Sequence, residues 1–340
     1  MTLPHTGRKA LSCTALAAVA LAAIAAIAAI AAPAAAAAQS AYPSQPIKFI
    51  VPYAAGGSSD TRSRQLAQHL STTLGVPVVV ENKPGASGNI GTGQIAMSKP
   101  DGYTIGLGNF APMSVNKSLY TLNFDPIKDL APVALIELGP LVLGVNAKSP
   151  YTSLDAVKQA SKANPDKFNY ASTGAGSASH LGTELFKTQS GVQATHVPYR
   201  GGAPASNDLM AGNVDLYLEL PSLLMAYASG DAPRLRLLAV SSEQRVPALP
   251  DVPTFKELGM PGMVMSNWFG VVAPAGTPDD IVQKLNAHIN QALQDPGYRK
   301  IVESQGGEVA GGTPGKFRDF IAGESERWGQ LIRKQNITVQ

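Results

Sequence analysis

The tract Pro46 to Asp60, PIKFIVPYAAGGSSD, constrains the fold of this chain more than any other. Ile47 to Val51 has the apolar, β-rich run of a buried strand. Gly56 and Gly57 follow, and their backbone freedom lets another group approach the main chain closely. Ser58 or Ser59 is placed to cap a helix that carries Leu66, Leu70 and Leu74 at i, i+4 and i+8. A glycine turn feeding a helix N-terminus presents unpaired N–H groups at the positive end of a dipole, which suits an anion. His196 to Asp208, HVPYRGGAPASND, repeats the design: a short strand, Val-Pro-Tyr, Gly-Gly, a helix start. The echo suggests two lobes offering matching turns to one ligand, although Gly-Gly after a strand is also ordinary turn chemistry.

Strand-like and helix-like stretches alternate along the rest of the chain. Strands are expected at Val76 to Glu81, Tyr103 to Leu107, Val133 to Ile136, Leu141 to Val145 and Phe168 to Ala171. Further strands are expected at Ala194 to Val197, Val214 to Leu218, Leu235 to Val240 and Met263 to Val272. Helix starts are expected at Thr152 to Asp155, a T-x-x-D capping pattern, and at Thr277-Pro278 and Thr313-Pro314. The alternation predicts an α/β fold with mostly parallel sheets. The chain is expected to leave one lobe near residue 140 and return near 265, so residues 42–140 plus 265–340 form one lobe and 141–264 the other.

Residues 1–38 read as a cleavable secretory signal: Arg8 and Lys9, an apolar stretch from Ala10 to Ala32, and an A-x-A site at Ala36 to Ala38. An uncleaved anchor is the alternative. The single cysteine, Cys13, lies in that segment, so the mature chain has no disulfide, thiol nucleophile or Cys-ligated metal. The formal net charge is +3, and loss of Arg8 and Lys9 leaves 25 basic against 24 acidic residues. That balance gives no electrostatic case for nucleic acid.

In open α/β sheets ligands sit beyond the carboxyl ends of strands. The loops there contain the candidate ligand-binding residues: Tyr53, Ala55, Gly56, Gly57, Ser58 and Asp60 in the first, and Asn109 in the second. The third holds Ser172, Thr173, Gly176, Ser177 and His180, the fourth Tyr199, Gly201, Gly202 and Ala203, and Glu219 ends a strand. These loops hold Arg200 and no Lys, so an anion would be held by backbone N–H groups, hydroxyls and helix N-termini. Asp60 is expected to order its own turn, and Glu219 either to be paired or to select a ligand amine or hydroxyl. Trp268 is expected to pack near the crossover.

Enzyme readings are the rivals. Gly106 to Ala111 and Gly91 to Ala96 both match G-x-G-x-x-A, but Pro112 crowds the first and the second falls inside a helix. No G-x-S-x-G elbow occurs. His180 and His196 are the candidates to pair with Ser177 and Asp208, against a structural role for each histidine. No spacing supports a metal, and no cofactor is expected.

Seven tracts carry a resemblance: YPSQPIKFIVPYAAGGSSD, VPVVVENKPGASGNIG, KPDGYTIGLG, NYASTGAGSASHLGTELF, HVPYRGGAPASNDLMAGNVD, ALPDVPTFKELGMPG and NWFGVVAPAGTP. Through them the chain resembles the substrate-binding component of tripartite tricarboxylate transporters, the Bug receptors, over essentially the whole mature length. The resemblance implies a two-lobed, type II periplasmic-binding-protein-like fold, each lobe a mixed sheet flanked by helices, with a carboxylate in the cleft between them. It implies that the loops Tyr53 to Asp60 and Ser172 to His180 meet the carboxylate from opposite lobes. It further implies a periplasmic monomer without catalytic activity that delivers its ligand to membrane transporter subunits or a sensor domain. A ligand-free interaction module is a further alternative. Val214 to Ser222, VDLYLELPS, departs from the family's acid-Asn-Leu-Pro-like tract, so ligand specificity does not carry over.

Overall fold

The protein is described by a computed structural model covering residues 1–2, 42–165 and 167–339. Apart from residues 1–2, the expected signal segment, residues 1–38, lies outside the described residues. From the start of the first strand the chain runs β1 (Ile47–Val51), α1 (Ser58–Leu74), β2 (Val78–Asn82), α2 (Asn89–Ala96), β3 (Thr104–Asn109) and β4 (Leu130–Pro140). It continues through β5 (Val142–Asn146), α3 (Leu154–Ala163), β6 (Asn169–Ser172), α4 (Ala178–Ser190), β7 (Thr195–Pro198), α5 (Gly202–Ala211), β8 (Leu216–Glu219), α6 (Pro221–Leu224) and β9 (Leu235–Val240). It ends with β10 (Ser266–Pro274), α7 (Asp279–Gln294), α8 (Pro296–Ser304), β11 (Glu308–Val309) and α9 (Pro314–Lys334).

These strands form two sheets, ordered β11-β4-β10-β3-β1-β2 and β7-β6-β8-β5-β9. The fold is a two-lobed α/β architecture. Both sheets are mixed, as the resemblance implies, and this corrects the mostly parallel sheets that the alternation alone predicts. β1 is parallel to β2 and β3, and β6 to β7 and β8, because each is joined through a helical crossover. Of the strands adjoining the passages between sheets, β10 and β5 run the other way, whereas β4 and β9 run with the parallel set. β10 is antiparallel to β3 and β4, and β5 is antiparallel to β8 and β9.

Two chain passages join the sheets. Leu141 alone separates β4 from β5, and a longer segment leads from β9 to β10. Ser241 ties them together. Its Oγ accepts from Leu141 N (2.8 Å) and donates to Met265 O (2.7 Å), while its own N donates to Leu141 O and its O accepts from Met265 N. Buried on all sides, it satisfies backbone groups that water cannot reach.

Apolar periodicity places the helices. Leu66 and Leu70 of α1 are fully buried, and Leu74 is half-buried at the end of the stripe. Phe317, Ile321, Trp328 and Ile332 of α9 are buried, with Phe317 meeting Trp268 edge-on at 5.7 Å. Trp268 is in the core, as expected.

The caps differ in detail. Thr313 caps α9 as expected, accepting from Lys316 N, but α3 is capped by Ser153 rather than Thr152. Thr277 donates its hydroxyl to Pro274 O and leaves Pro278 as the N-cap of α7. Neither Ser58 nor Ser59 caps α1: Gly57 holds that position in extended geometry (φ −83°, ψ 175°), and no side chain accepts from the first turn.

Candidate functional site

A cavity of about 540 Å³ opens where β1, β3, β6 and β8 end and α1, α4 and α5 begin. Its walls come from both sheets. Twelve of the expected residues line it: Tyr53, Ala55, Gly56, Gly57, Ser58, Asn109, Thr173, Ser177, Gly201, Gly202, Ala203 and Glu219.

The first wall is the turn after β1. Gly56 takes a left-handed φ of 85°, which turns its N–H onto Asp60 Oδ2 (2.9 Å). Asn82 Nδ2 donates to Asp60 Oδ1 (2.9 Å) and Tyr53 O (3.0 Å), and Arg64 Nε donates to Asp60 Oδ2 (3.1 Å). Burial pushes the Asp60 pKa up, but the bonds from Arg64, Gly56 and Asn82 outweigh it and hold the carboxyl below its ordinary range. Asp60 is thus consumed in building the turn and does not line the cavity. The first-turn N–H groups of α1 lack an intrahelical partner and, with a glycine cap, a side-chain one as well.

Tyr53 and Asn109 join this turn to the next strand ends. The Tyr53 hydroxyl donates to Asn109 Oδ1 (2.6 Å), and Asn109 Nδ2 donates to Asn267 Oδ1 (3.0 Å) and Trp268 O (2.6 Å). Burial raises the Tyr53 pKa, so the phenol stays neutral. Gly106 and Gly108 have packing duties: a Cβ at Gly106 would lie 2.0 Å from Ile95 Cδ1, and one at Gly108 2.9 Å from Val272 Cγ1. Gly91 likewise sits against Pro52, where a Cβ would meet Pro52 Cα at 2.7 Å. The two G-x-G-x-x-A matches are therefore explained by close packing of α2, β1, β3 and β10.

The second wall is the turn after β6. Ser177 caps α4, its Oγ accepting from His180 N (3.3 Å) and donating to Gly174 O (2.6 Å). Three expected residues here are turned inward, away from the cavity. Ser172 is fully buried and its Oγ meets His196 Nε2 at 2.6 Å. Gly176 N donates to His180 Nδ1 (3.1 Å), and the His180 ring stacks on His196 at 4.0 Å. Burial lowers both histidine pKa values, that of His196 to about 3 with help from His180 and Lys187, so both rings are neutral. Asp208 accepts from Tyr199 OH (2.6 Å) and Asn213 Nδ2 (3.1 Å), which leaves the Ser177–His–Asp208 arrangement unassembled. The same bond explains why Tyr199 does not line the cavity.

The third wall is the start of α5, where Gly201 (φ 112°) is an N-cap without a side-chain bond. Gly202 lies so close to Leu223 that a Cβ would meet its Cδ1 at 2.6 Å. Glu219, at the end of β8, is buried. Leu220 N donates to its Oε1 (2.9 Å) and Tyr217 OH to its Oε2 (3.0 Å). Burial pushes the Glu219 pKa up, against the opposing effect of these donors. Among the described residues no Lys, Arg or His lines the cavity. Three helix N-termini, two of them glycine-capped, face a space without a cation, an arrangement able to hold an anion on main-chain N–H groups.

The lining also includes Ser87, Ser179, Leu220, Leu223 and Asn267. Ser179 falls within a loop flagged by its glycines. Asn267 lies on a strand whose apolar run reads as core, so only the fold brings its amide to Asn109.

A family profile described as tripartite tricarboxylate transporter family receptor matches residues 63–337. The chain is 42% identical over 296 residues to Protein BugT of Bordetella pertussis, covering 86% of this chain and 90% of that one. A solved R. palustris protein with adipate superposes with a TM-score of 0.80 at 34% identity, covering 88% of this chain and 100% of that one. MatC from Rhodopseudomonas palustris with bound malate superposes with a TM-score of 0.76 at 30% identity, covering 86% and 100%.

Proposed function

The chain belongs to the tripartite tricarboxylate transporter family of receptors, and from that premise we propose that its cavity captures a small carboxylate for delivery to transporter subunits in the membrane. One observation carries the reading: the cavity is walled by the N-termini of α1, α4 and α5 and by no cationic side chain among the described residues. An anion there gains dipole and hydrogen-bond stabilisation without a buried counter-ion. The relatives solved with adipate and malate support a dicarboxylate.

In this reading residues 42–140 plus 265–340 form one lobe and residues 141–264 the other. They close about Leu141 and the β9–β10 passage, and Ser241 is the pin between them. The twelve lining residues named above form the ligand site. The mature protein is a monomer without catalytic activity, acting in the periplasm after cleavage near Ala38.

The test is thermal unfolding of the mature protein, first unfolded and refolded to strip ligand, against carboxylates and nicotinamide nucleotides. A carboxylate at a hundredfold excess over its Kd should stabilise by about 2.7 kcal/mol. Stabilisation by nucleotides alone would overturn the reading.

A further inference from the structure

The cavity carries a carboxyl group of its own. Glu219 is 4% exposed and lines the same wall as the glycine-capped start of α5. Its described partners are neutral donors: Leu220 N–H, Tyr217 OH and the Ser179 hydroxyl. Among the described residues, the strands and helices packed against β8 bring no free cation, and Arg200, next to the lining residue Gly201, is exposed and is not itself part of the lining. β5 has no ionisable side chain, and β6 offers only Tyr170, whose hydroxyl donates to Glu184. From α4 come neutral His180 and the pair Glu184–Lys187, closed on itself at 2.7 Å. Asp208 of α5 is held by Tyr199 and Asn213. Across the cavity Tyr53 is a neutral phenol, Asp60 is tied to Arg64, and Arg62 of α1 is bound to Glu137.

A buried charge without a partner is expensive, and a carboxyl in that position keeps its proton instead. Arrival of an anionic ligand adds a like charge, which again favours the neutral acid, as in paired carboxyls that share one proton. We propose that Glu219 is the protonated acid in the ligand complex and donates its hydrogen to the second carboxylate of a bound dicarboxylate, whose first carboxylate rests on the helix N-termini. Glu219 thereby selects dicarboxylates over acids that carry an ammonium group, which would need the ionised form. This inference rests on the carboxylate-receptor reading.

Adipate and malate are the probes, with wild type and Glu219→Gln compared by calorimetry from pH 6 to 10 and by infrared spectroscopy of the complexes. The glutamine amide donates where the acid does, so Glu219→Gln should keep its affinity within about tenfold of wild type. Wild type should show the carbonyl band of a protonated carboxylic acid that Glu219→Gln lacks. At alkaline pH wild-type affinity should fall, by up to about tenfold per pH unit, while that of Glu219→Gln stays level. A complex without the acid band, or a loss beyond tenfold in Glu219→Gln, overturns the inference while leaving the receptor reading intact. If Glu219→Gln does not fold, disappearance of the band from wild type on alkaline titration supplies the same test, and absence of the band at pH 6 overturns it. Failure of wild type to bind any carboxylate overturns the receptor reading and the inference together.

Discussion

Gly57 shows how one missing side chain makes a site. An Asp at an N-cap ordinarily accepts from the N–H of the second or third helical residue. At Gly57 the backbone is already in the geometry that such a cap requires, and a Cβ would find no atom nearer than Ala54 O at 3.9 Å. Gly57→Asp should therefore change stability by only a few tenths of a kcal/mol. It should nevertheless abolish carboxylate binding, because its own carboxylate occupies the anion position. Urea unfolding with calorimetry separates the two effects; retained affinity would contradict the assignment. Glu219 makes a second residue-scale prediction. Its folded-state pKa is raised, so the stability of wild type relative to Glu219→Gln is greatest below about pH 4.3 and declines as pH rises through the folded pKa. Urea midpoints of both proteins from pH 4 to 9 check this, and parallel profiles would refute it. At this scale the glycine turns were legible because glycine chemistry is local. Asp60 orders its own turn as expected, whereas Ser172 and Tyr199 were harder to place, because His196 and Asp208 decide which way they point.

Among the elements, α1 is fastened to β4 by a contact with no signature in the pattern. Arg62 donates through Nε and Nη2 to both oxygens of Glu137, 75 residues away, and both side chains are buried. An arginine on a helix ordinarily reads as solvated, and a glutamate within an apolar strand reads as an interruption. Arg62→Ala should cost about 3–5 kcal/mol by leaving Glu137 buried and unpaired, whereas Arg62→Met with Glu137→Leu should cost much less. Chemical denaturation measures both, and equal losses would argue that packing rather than charge fastens α1. On the opposite lobe, Ser177→Ala removes the cap of α4 and should cost about 1 kcal/mol.

For the whole molecule, the packing where β4 meets the end of β8 is the relevant quantity. Gly139, near the end of β4, faces Leu220 and Asn267: a Cβ there would meet Leu220 Cδ2 at 2.6 Å and Asn267 O at 2.9 Å. Gly139→Ala should wedge the lobes at their crossing. Overpacking of this kind costs about 1–3 kcal/mol, or roughly tenfold or more in affinity if the strain falls on the closed form. Calorimetry with adipate and small-angle scattering would show weaker binding and a more extended particle; unchanged affinity would remove Gly139 from the closure. The succession of strands and helices along the chain, the glycine turns and the apolar stripe of α1 were determined by the sequence itself, since propensity and periodicity act between near neighbours. Tertiary structure alone decided which strands reverse, the convergence of three helix N-termini, the Arg62–Glu137 pair and the absence of a described cationic side chain from the cavity that Glu219 lines. Those depend on which distant segments meet, as Tyr53 meets Asn109 and Asn109 meets Asn267 158 residues away, and local pattern carries no record of such meetings.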